Sequence, residues 1–459
     1  MLRRPSQPSP PPTAQGRRGE ESAGAARRLL RVALLHALAT VTAVSRTPDR
    51  VLRRRMPGMA AAGTVIPLWA PSWAVSEFPL HIALVQALTT VTAVRRGALV
   101  HPSGRVGAAV LLGASVAVAS AWRNCRRTDT TFEEVLTSTL GAGYQRELPP
   151  MPSRESRAQW RQLLLPRLSE RKCYLRHENL SYGDNGIRNH LDVWHRDDLA
   201  PGAGAPVLIQ IHGSAWMKGS KRGQGYPLLA HMAARGWVCV AINYSLAPAA
   251  RWPAHIHDVK RAIAWVKRSI AAYGGDPGCV ALTGGSAGGH LTALAALTPN
   301  EPTFQPGFES EDTSVVAAVP VYGVYDLLDR AGDSPPEQEV FLRRIVIGAS
   351  KEDAYQTWHD GSPLSWINSA APPFLVIHGG NDTWTNPEQA RAFSAALARV
   401  SRNPVAYAEL PGAQHMFDLL PTVRAAATVA AIDRFLTWVV HRRTAAHSSA
   451  AVGYATATE

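Results

Sequence analysis

The spacing of apolar positions changes along the chain, and the changes divide it. Residues 29–44, 79–94 and 106–122 are three apolar stretches, and Val106–Trp122 has seventeen residues without a charge. From about residue 170 short apolar runs alternate with helical periodicity. Val207–His212 and Trp237–Asn243 are apolar runs of strand length. Across Ile256–Ile270, Ile256, Val259, Ile263, Val266 and Ile270 fall on one helical face, and Lys260, Arg261, Lys267 and Arg268 take the other. Strand Val280–Thr283, an Ala/Leu helix from Ala287, and strands Val315–Val321 and Phe374–His378 follow. A helix with Asn386 as its cap and Pro387 at its first position comes next. Strand Val405–Leu410 and a helix to about Val440 complete the pattern. Strand–helix alternation at this spacing predicts an α/β fold with a mostly parallel central sheet covered by helices on both faces.

The N-terminal third reads differently. Residues 1–27 are rich in Pro, Arg, Ser and Gly, a composition that predicts disorder. No clean secretory signal is present, because the first apolar run starts near Leu29 and no small-residue cleavage site ends it. Ala33–Val44 (ALLHALATVTAV) and Ala83–Val94 (ALVQALTTVTAV) agree at nine of twelve positions fifty residues apart, a local duplication. It also makes Met59 a candidate start of translation. Val106–Trp122 lies at the short edge of a membrane span. Arg95, Arg96 and Arg105 lie on one side of it and Arg123, Arg126 and Arg127 on the other, so charge assigns no orientation. Two arrangements are open: a short membrane hairpin, or an apolar helical pair packed on the downstream domain as a lid.

The predicted organisation is a disordered basic N-terminus at 1–60, apolar helical segments at 61–127 and a polar connector at 128–170. The α/β domain follows at 171–445, with a small cap at about 323–370, and a disordered tail at 446–459. Trp358 and Trp366 would give the cap apolar surface.

Charge adds one exclusion. Twelve arginines and three acidic residues in 1–60 account for +9 of the +13 net charge, leaving +4 for the other 399 residues. No basic face on a folded domain is implied, and a nucleic-acid partner is not expected. The four cysteines show no metal-ligand spacing; Cys239 and Cys279 fall in strand-like runs and read as buried thiols.

The chemistry concentrates downstream. Gly284-Gly285-Ser286-Ala287-Gly288 fits G-x-S-x-G between a strand and an alanine-rich helix. So sharp a turn strains the serine backbone and leaves no room for side chains at Gly284 and Gly288. The helix N-terminus behind Ser286 favours developing negative charge. A phosphate loop is disfavoured, because no Gly-Lys-[Ser/Thr] follows. About seventy residues earlier, His212-Gly213-Ser214-Ala215-Trp216 directly follows a strand. Its backbone N–H groups, with that of Ala287, could meet the oxyanion that acyl transfer builds.

A nucleophilic serine needs a base, and the base needs an orienter. Asp382, in HGGNDTW just past a strand, is the best-placed acid; Asp326, Asp329 and Asp360 are placed less well. His415, in LPGAQHMFD after the next strand, is the best-placed base, with His378 and His359 behind it. His212 and His290 read as structural.

HGSAW, NYSLAP, HDVKRAIAWV, YGGDP, GGSAGGH, HGGND and ELPGAQHMFD occur in this order. In these segments the chain resembles the α/β-hydrolase esterases and lipases of the hormone-sensitive-lipase and feruloyl-esterase-like group, above all the actinobacterial Lip-type branch. The resemblance spans roughly 75–442 and is most specific over 205–420. It implies an α/β-hydrolase fold and carboxylic-ester hydrolysis without metal or organic cofactor. It maps the catalytic triad to Ser286, Asp382 and His415 and the oxyanion hole to Gly213, Ser214 and Ala287, with His212, Gly284 and Gly288 in support. Two positions depart from the family pattern: it usually has Gly at Ser214, and Arg at Ser245, where an ion pair would then be missing.

The expected partner is a small-molecule ester, of short to medium acyl chain given a cap of only about fifty residues. An amidase or formamidase using the same triad, or an inactive ligand-binding member of the fold, are the alternatives. Membrane association through the N-terminal apolar segments is the expected location, with a cytoplasmic one as its alternative.

Overall fold

The computed structural model describes residues 14–44, 65–148 and 174–455, in two units, Met1–Arg123 and Asn124–Glu459. Residues 1–13 and 45–64 of the N-terminal part, Met59 among them, residues 149–170 of the predicted connector and residues 456–459 lie outside the described residues.

The first unit is helical: α1 (Ala14–Val44), α2 (Val65–Glu77), α3 (Pro79–Arg95) and the start of α4 (Pro102–Leu140). Residues 14–27, expected to be disordered, continue into α1. Ala25, Ala26, Leu29 and Ala33 recur on one face and bury against Ala93, Ala98 and Leu111. Helical spacing of small apolar residues thus outweighs the polar composition. Gly107 allows the close approach of α4 to α1, since a Cβ there would lie 2.9 Å from the Leu30 amide nitrogen. α2 and α3 meet at a bend of 100°.

The second unit begins inside α4, which runs on to Leu140. Residues 124–140, three-quarters of which were expected to be connector, are therefore helical. Phe132, Leu136 and Leu140 repeat every four residues and bury with Tyr144 in the main core, a stripe hidden among polar neighbours.

The sheet follows: β1 (Leu175–Ser181), β2 (His190–Trp194), β3 (Ala205–Ile211), α5 (Tyr226–Ala234), β4 (Val238–Ile242), α6 (Ala254–Ser269), β5 (Gly275–Gly285), α7 (Ala287–Leu297) and β6 (Ala317–Val321). The cap helices α8 (Pro336–Phe341) and α9 (Tyr355–Asp360) precede β7 (Phe374–Gly379), α10 (Pro387–Val400), β8 (Val405–Leu410) and α11 (Val423–Ala455). The eight strands are ordered β1-β2-β4-β3-β5-β6-β7-β8; β2 runs antiparallel to both its neighbours, β1 and β4, and the other pairs are parallel.

Successive strand residues feed opposite layers. Leu208 and Ala281 bury with Leu229 and Met232 of α5 and Ile432 and Phe435 of α11. Val207, Ile209 and Leu282 bury with Ile256, Val259 and Ile263 of α6 and Leu291 and Leu294 of α7. Each such large apolar side chain contributes about 1.5–3 kcal/mol on burial. The Asn386 side chain accepts from the Glu388 N–H and caps α10, as its position before Pro387 predicts.

Two side chains depart from expectation. Lys260, assigned to the outer face of α6, is buried; its Nζ donates to the carbonyls of Ala295 and Thr298 and to Thr313 Oγ1. It thereby satisfies carbonyls at the C-terminus of α7. Burial, opposed by the charges of Glu301 and Asp312, pushes its pKa down to about 7. Trp358 is fully buried and donates to the Ala349 carbonyl, so it anchors the cap rather than presenting surface. Trp366 is half-buried against Phe304. Residues 446–455 extend α11, where a disordered tail was expected.

Candidate active site

Ser286 stands between the end of β5 and the start of α7, at φ 58° and ψ −122°. A non-glycine residue in that region is strained by about 1–3 kcal/mol and stays there only when its surroundings hold it. Its N–H donates to the Val321 carbonyl of β6 (2.9 Å) and its carbonyl accepts from the His290 N–H (3.0 Å). The flanking glycines answer to space. A Cβ at Gly288 would lie 2.1 Å from the Ile211 carbonyl oxygen, and one at Gly284 would lie 2.6 Å from the Gly288 oxygen.

Three loops at the carboxyl ends of the strands bring Ser286, His415 and Asp382 together. Ser286 Oγ lies 2.9 Å from His415 Nε2, and His415 Nδ1 lies 2.7 Å from Asp382 Oδ2. Asp382 Oδ1 accepts from the N–H groups of Trp384 (2.8 Å) and Thr385 (2.9 Å), and Oδ2 accepts from Thr385 Oγ1 (2.9 Å). Burial alone would raise the Asp382 pKa. The charge of His415 and hydrogen bonds from His378 and His415 outweigh it and hold the carboxyl well below its usual range. The ionised carboxylate only accepts, so the proton sits on His415 Nδ1, and Nε2 is free to accept from the serine hydroxyl.

The other candidates fall elsewhere. His378 lies on the acid, with Nε2 3.4 Å from Asp382 Oδ2 and 3.1 Å from the Thr385 carbonyl. His359 pairs with Asp360 in the cap. Asp326 pairs with Arg330, and Asp329 accepts from the N–H groups of Asp333 and Ser334. His415 is also packed by two rings that sequence reasoning missed, Trp384 (stacked at 5.6 Å) and Tyr322 (4.7 Å).

The loop after β3 is bent into the left-handed region at three successive residues, Ser214 (φ 80°), Ala215 (φ 54°) and Trp216 (φ 55°). Gly213 sits against the nucleophile turn, where an added Cβ would lie 2.4 Å from the Gly285 carbonyl oxygen and 3.0 Å from Ser286 Cβ. Gly213 was expected to offer its N–H to substrate. Instead that N–H donates to Gln224 Oε1 at 2.8 Å. The N–H groups of Ser214 and Ala287 meet no acceptor among the described residues.

A BD-FAE family model matches residues 191–397 of the chain, a stretch that holds the HGSAW loop, the serine turn and Asp382. The chain is similar to the probable carboxylic ester hydrolase LipM of Mycobacterium tuberculosis H37Rv, at 44% identity over 80% of this chain and 85% of the relative. The chain belongs to the Lip-type carboxylic-ester hydrolases. Esterase LipQ of the same organism is 42% identical over 82% of this chain and 85% of its own length. Among solved structures, a truncated carbohydrate esterase from gut microbiota superposes with a TM-score of 0.50 at 22% identity, covering 60% of this chain and 98% of its own. At that identity the likeness speaks for the α/β-hydrolase fold alone.

Within this Lip-type esterase the two departures have distinct consequences. Ser214 takes a left-handed conformation that glycine adopts without strain. At Ser245 no arginine is present, and the Asp258 carboxylate instead accepts from the Ser245 N–H (2.8 Å) and hydroxyl (2.5 Å), with Arg261 at 3.8 Å. The charge is satisfied without an ion pair at position 245. His212 stacks on Tyr244 at 4.4 Å, and His290 Nε2 contacts the Gly361 carbonyl oxygen at 2.7 Å. Burial pushes both imidazoles down to about 4, so they are neutral at pH 7 and brace the loop and the helix.

Proposed function

We propose that this Lip-type hydrolase cleaves short to medium acyl esters through an acyl-enzyme on Ser286. The observation that carries the reading is the hydrogen-bonded chain Ser286 Oγ, His415 imidazole and Asp382 carboxylate at the N-terminus of α7. As Ser286 Oγ attacks the ester carbonyl carbon, its proton passes to His415 Nε2. The oxyanion rests on the N–H groups of Ser214 and Ala287, Gly213 being engaged by Gln224. The imidazolium, stabilised by Asp382, protonates the leaving alkoxide. Water then attacks the acyl-enzyme with His415 as base, and the acid and Ser286 are released.

The small cap supports a modest acyl pocket. Along p-nitrophenyl esters from acetate to palmitate, kcat/KM should peak at short or medium chains and exceed that for the matching anilide. A maximum at palmitate overturns the chain-length reading, and preference for the anilide moves the enzyme to the amidases.

The N-terminal unit supports membrane attachment. α4 is long and apolar enough to cross a bilayer. Leu84, Leu88 and Val91 of α3 and Leu112 and Val116 of α4 are exposed, whereas Gln86 is buried and its Oε1 accepts from Ser115. The Thr90 and Thr92 hydroxyls donate to carbonyls of their own helix. Apolar side chains facing outward, with threonine hydroxyls bonded to their own helix, suit a lipid environment. Full-length protein should pellet with membranes, resist high salt and yield to detergent; full-length protein in the soluble fraction contradicts the attachment.

A further inference from the structure

We propose that Gln224 is a positioning residue for the oxyanion loop: by holding the Gly213 N–H it sets where the next backbone donor, Ser214, meets the reacting carbonyl oxygen. The proposal rests on the ester-hydrolysis reading of this site. Gln224 Oε1 accepts from the Gly213 N–H at 2.8 Å in a buried position, and this donor requires that the amide oxygen, not its nitrogen, face the loop. Gly213 in turn sits against Ser286, where an added Cβ would lie 3.0 Å from the serine Cβ. A displacement of Gly213 therefore changes the separation between the loop donor and the nucleophile. Oxyanion stabilisation is steeply sensitive to that separation.

Gln224 is itself held by the segment it ends. The Lys221 N–H donates to Asn243 Oδ1 (2.7 Å) beyond β4. Lys221 Nζ pairs with the buried Asp192 of β2 (2.7 Å) and donates to Asn179 Oδ1 (2.6 Å). On the other side Gly225 packs on Gln210 of β3, where a Cβ would meet the Gln210 amide carbon at 2.4 Å. The hydrogen-bond acceptor for Gly213 is thus fixed to the sheet through β2, β3 and β4. That support suits a loop with three successive left-handed residues, which would relax if released. Gln224 Nε2 is buried without a partner among the described residues. It lines a cavity of about 20 Å³ under the serine turn with Thr283, Tyr322 and Asp418, space for one water. A buried amide whose only bond goes to the oxyanion loop adds little to the fold through its other end.

The test is Gln224→Met, which keeps the side chain's length and removes the acceptor, with Gln224→Ala as a second variant that adds no bulk. In the full-length protein kcat should fall about 10- to 100-fold with KM within about twofold, the loss expected when an oxyanion donor is misplaced rather than removed. A trifluoromethyl ketone, whose hemiketal places an oxyanion in the same hole, should lose affinity in proportion to kcat/KM. A purely structural role would lower the melting temperature without that proportionality. The proposal is overturned if either folded variant keeps kcat within twofold, or loses kcat while the ketone binds as before. It is overturned equally if both variants fail to fold, which would assign Gln224 to the fold. A wild-type enzyme that the ketone does not inhibit counts against the ester reading itself, separately from Gln224.

Discussion

Ser286→Ala should lower kcat by at least about 10³-fold with the melting temperature essentially unchanged. Only the attacking oxygen is lost. The Ser286 N–H bond to Val321 and the His290 bond to its carbonyl are backbone bonds and persist in alanine. Alanine carries the same Cβ into the same strained turn, so its backbone energy is close to that of serine. A loss of 10³-fold corresponds to about 4 kcal/mol of transition-state stabilisation. Residual turnover above the background rate should remain, because the proposed oxyanion donors, Ser214 and Ala287, and the substrate pocket are left intact. Turnover of a p-nitrophenyl ester by the purified variant, beside its thermal melt, reads both quantities. A folded variant with near-wild-type kcat contradicts the assignment.

Asp382→Asn should be almost as damaging, about 10³- to 10⁴-fold in kcat, with the fold again kept. The asparagine oxygen can still accept from the N–H groups of Trp384 and Thr385, so the turn that holds position 382 survives. The amide nitrogen then faces His415 Nδ1, where the carboxylate oxygen now lies at 2.7 Å. As a donor it forces the imidazole proton to Nε2, the atom that must receive the Ser286 proton. The base is present, oriented and in the wrong tautomer. Because KM does not depend on that proton, the loss should fall on kcat. Equal losses in kcat and in melting temperature would instead make Asp382 a structural carboxylate.

How far the sequence could be read depends on whether the signal is local. The Asn386–Pro387 helix start and strand Val405–Leu410 lie where periodicity and capping put them, because both are set by neighbouring residues. The serine turn is legible because Gly284, Ser286 and Gly288 stand together in one short motif, although the carbonyl that excludes a side chain at Gly288 belongs to Ile211 of β3. What escaped depends on distant partners. His190–Trp194 carries His and Asp and gives no apolar run, yet it is a strand because β1 and β4 flank it. Helix Tyr226–Ala234 is too short for a strong period. Lys260 reads as a solvated cation until Ala295, Thr298 and Thr313 surround it. Gly213 reads as an oxyanion donor until Gln224, eleven residues on, takes its N–H. Ser286, Asp382 and His415 are picked out by motif context, but only folding brings Ser286 within hydrogen-bond reach of a histidine 129 positions away.

The most direct measurement of the account is the site at which the enzyme becomes covalently attached to a fluorophosphonate. Wild-type protein should take up one phosphonyl group, with tandem mass spectrometry placing it on the Ser286 side chain, and Ser286→Ala should remain unlabelled. A label on any other residue of the folded enzyme, or ester turnover that continues unchanged in protein fully labelled at Ser286, would contradict it.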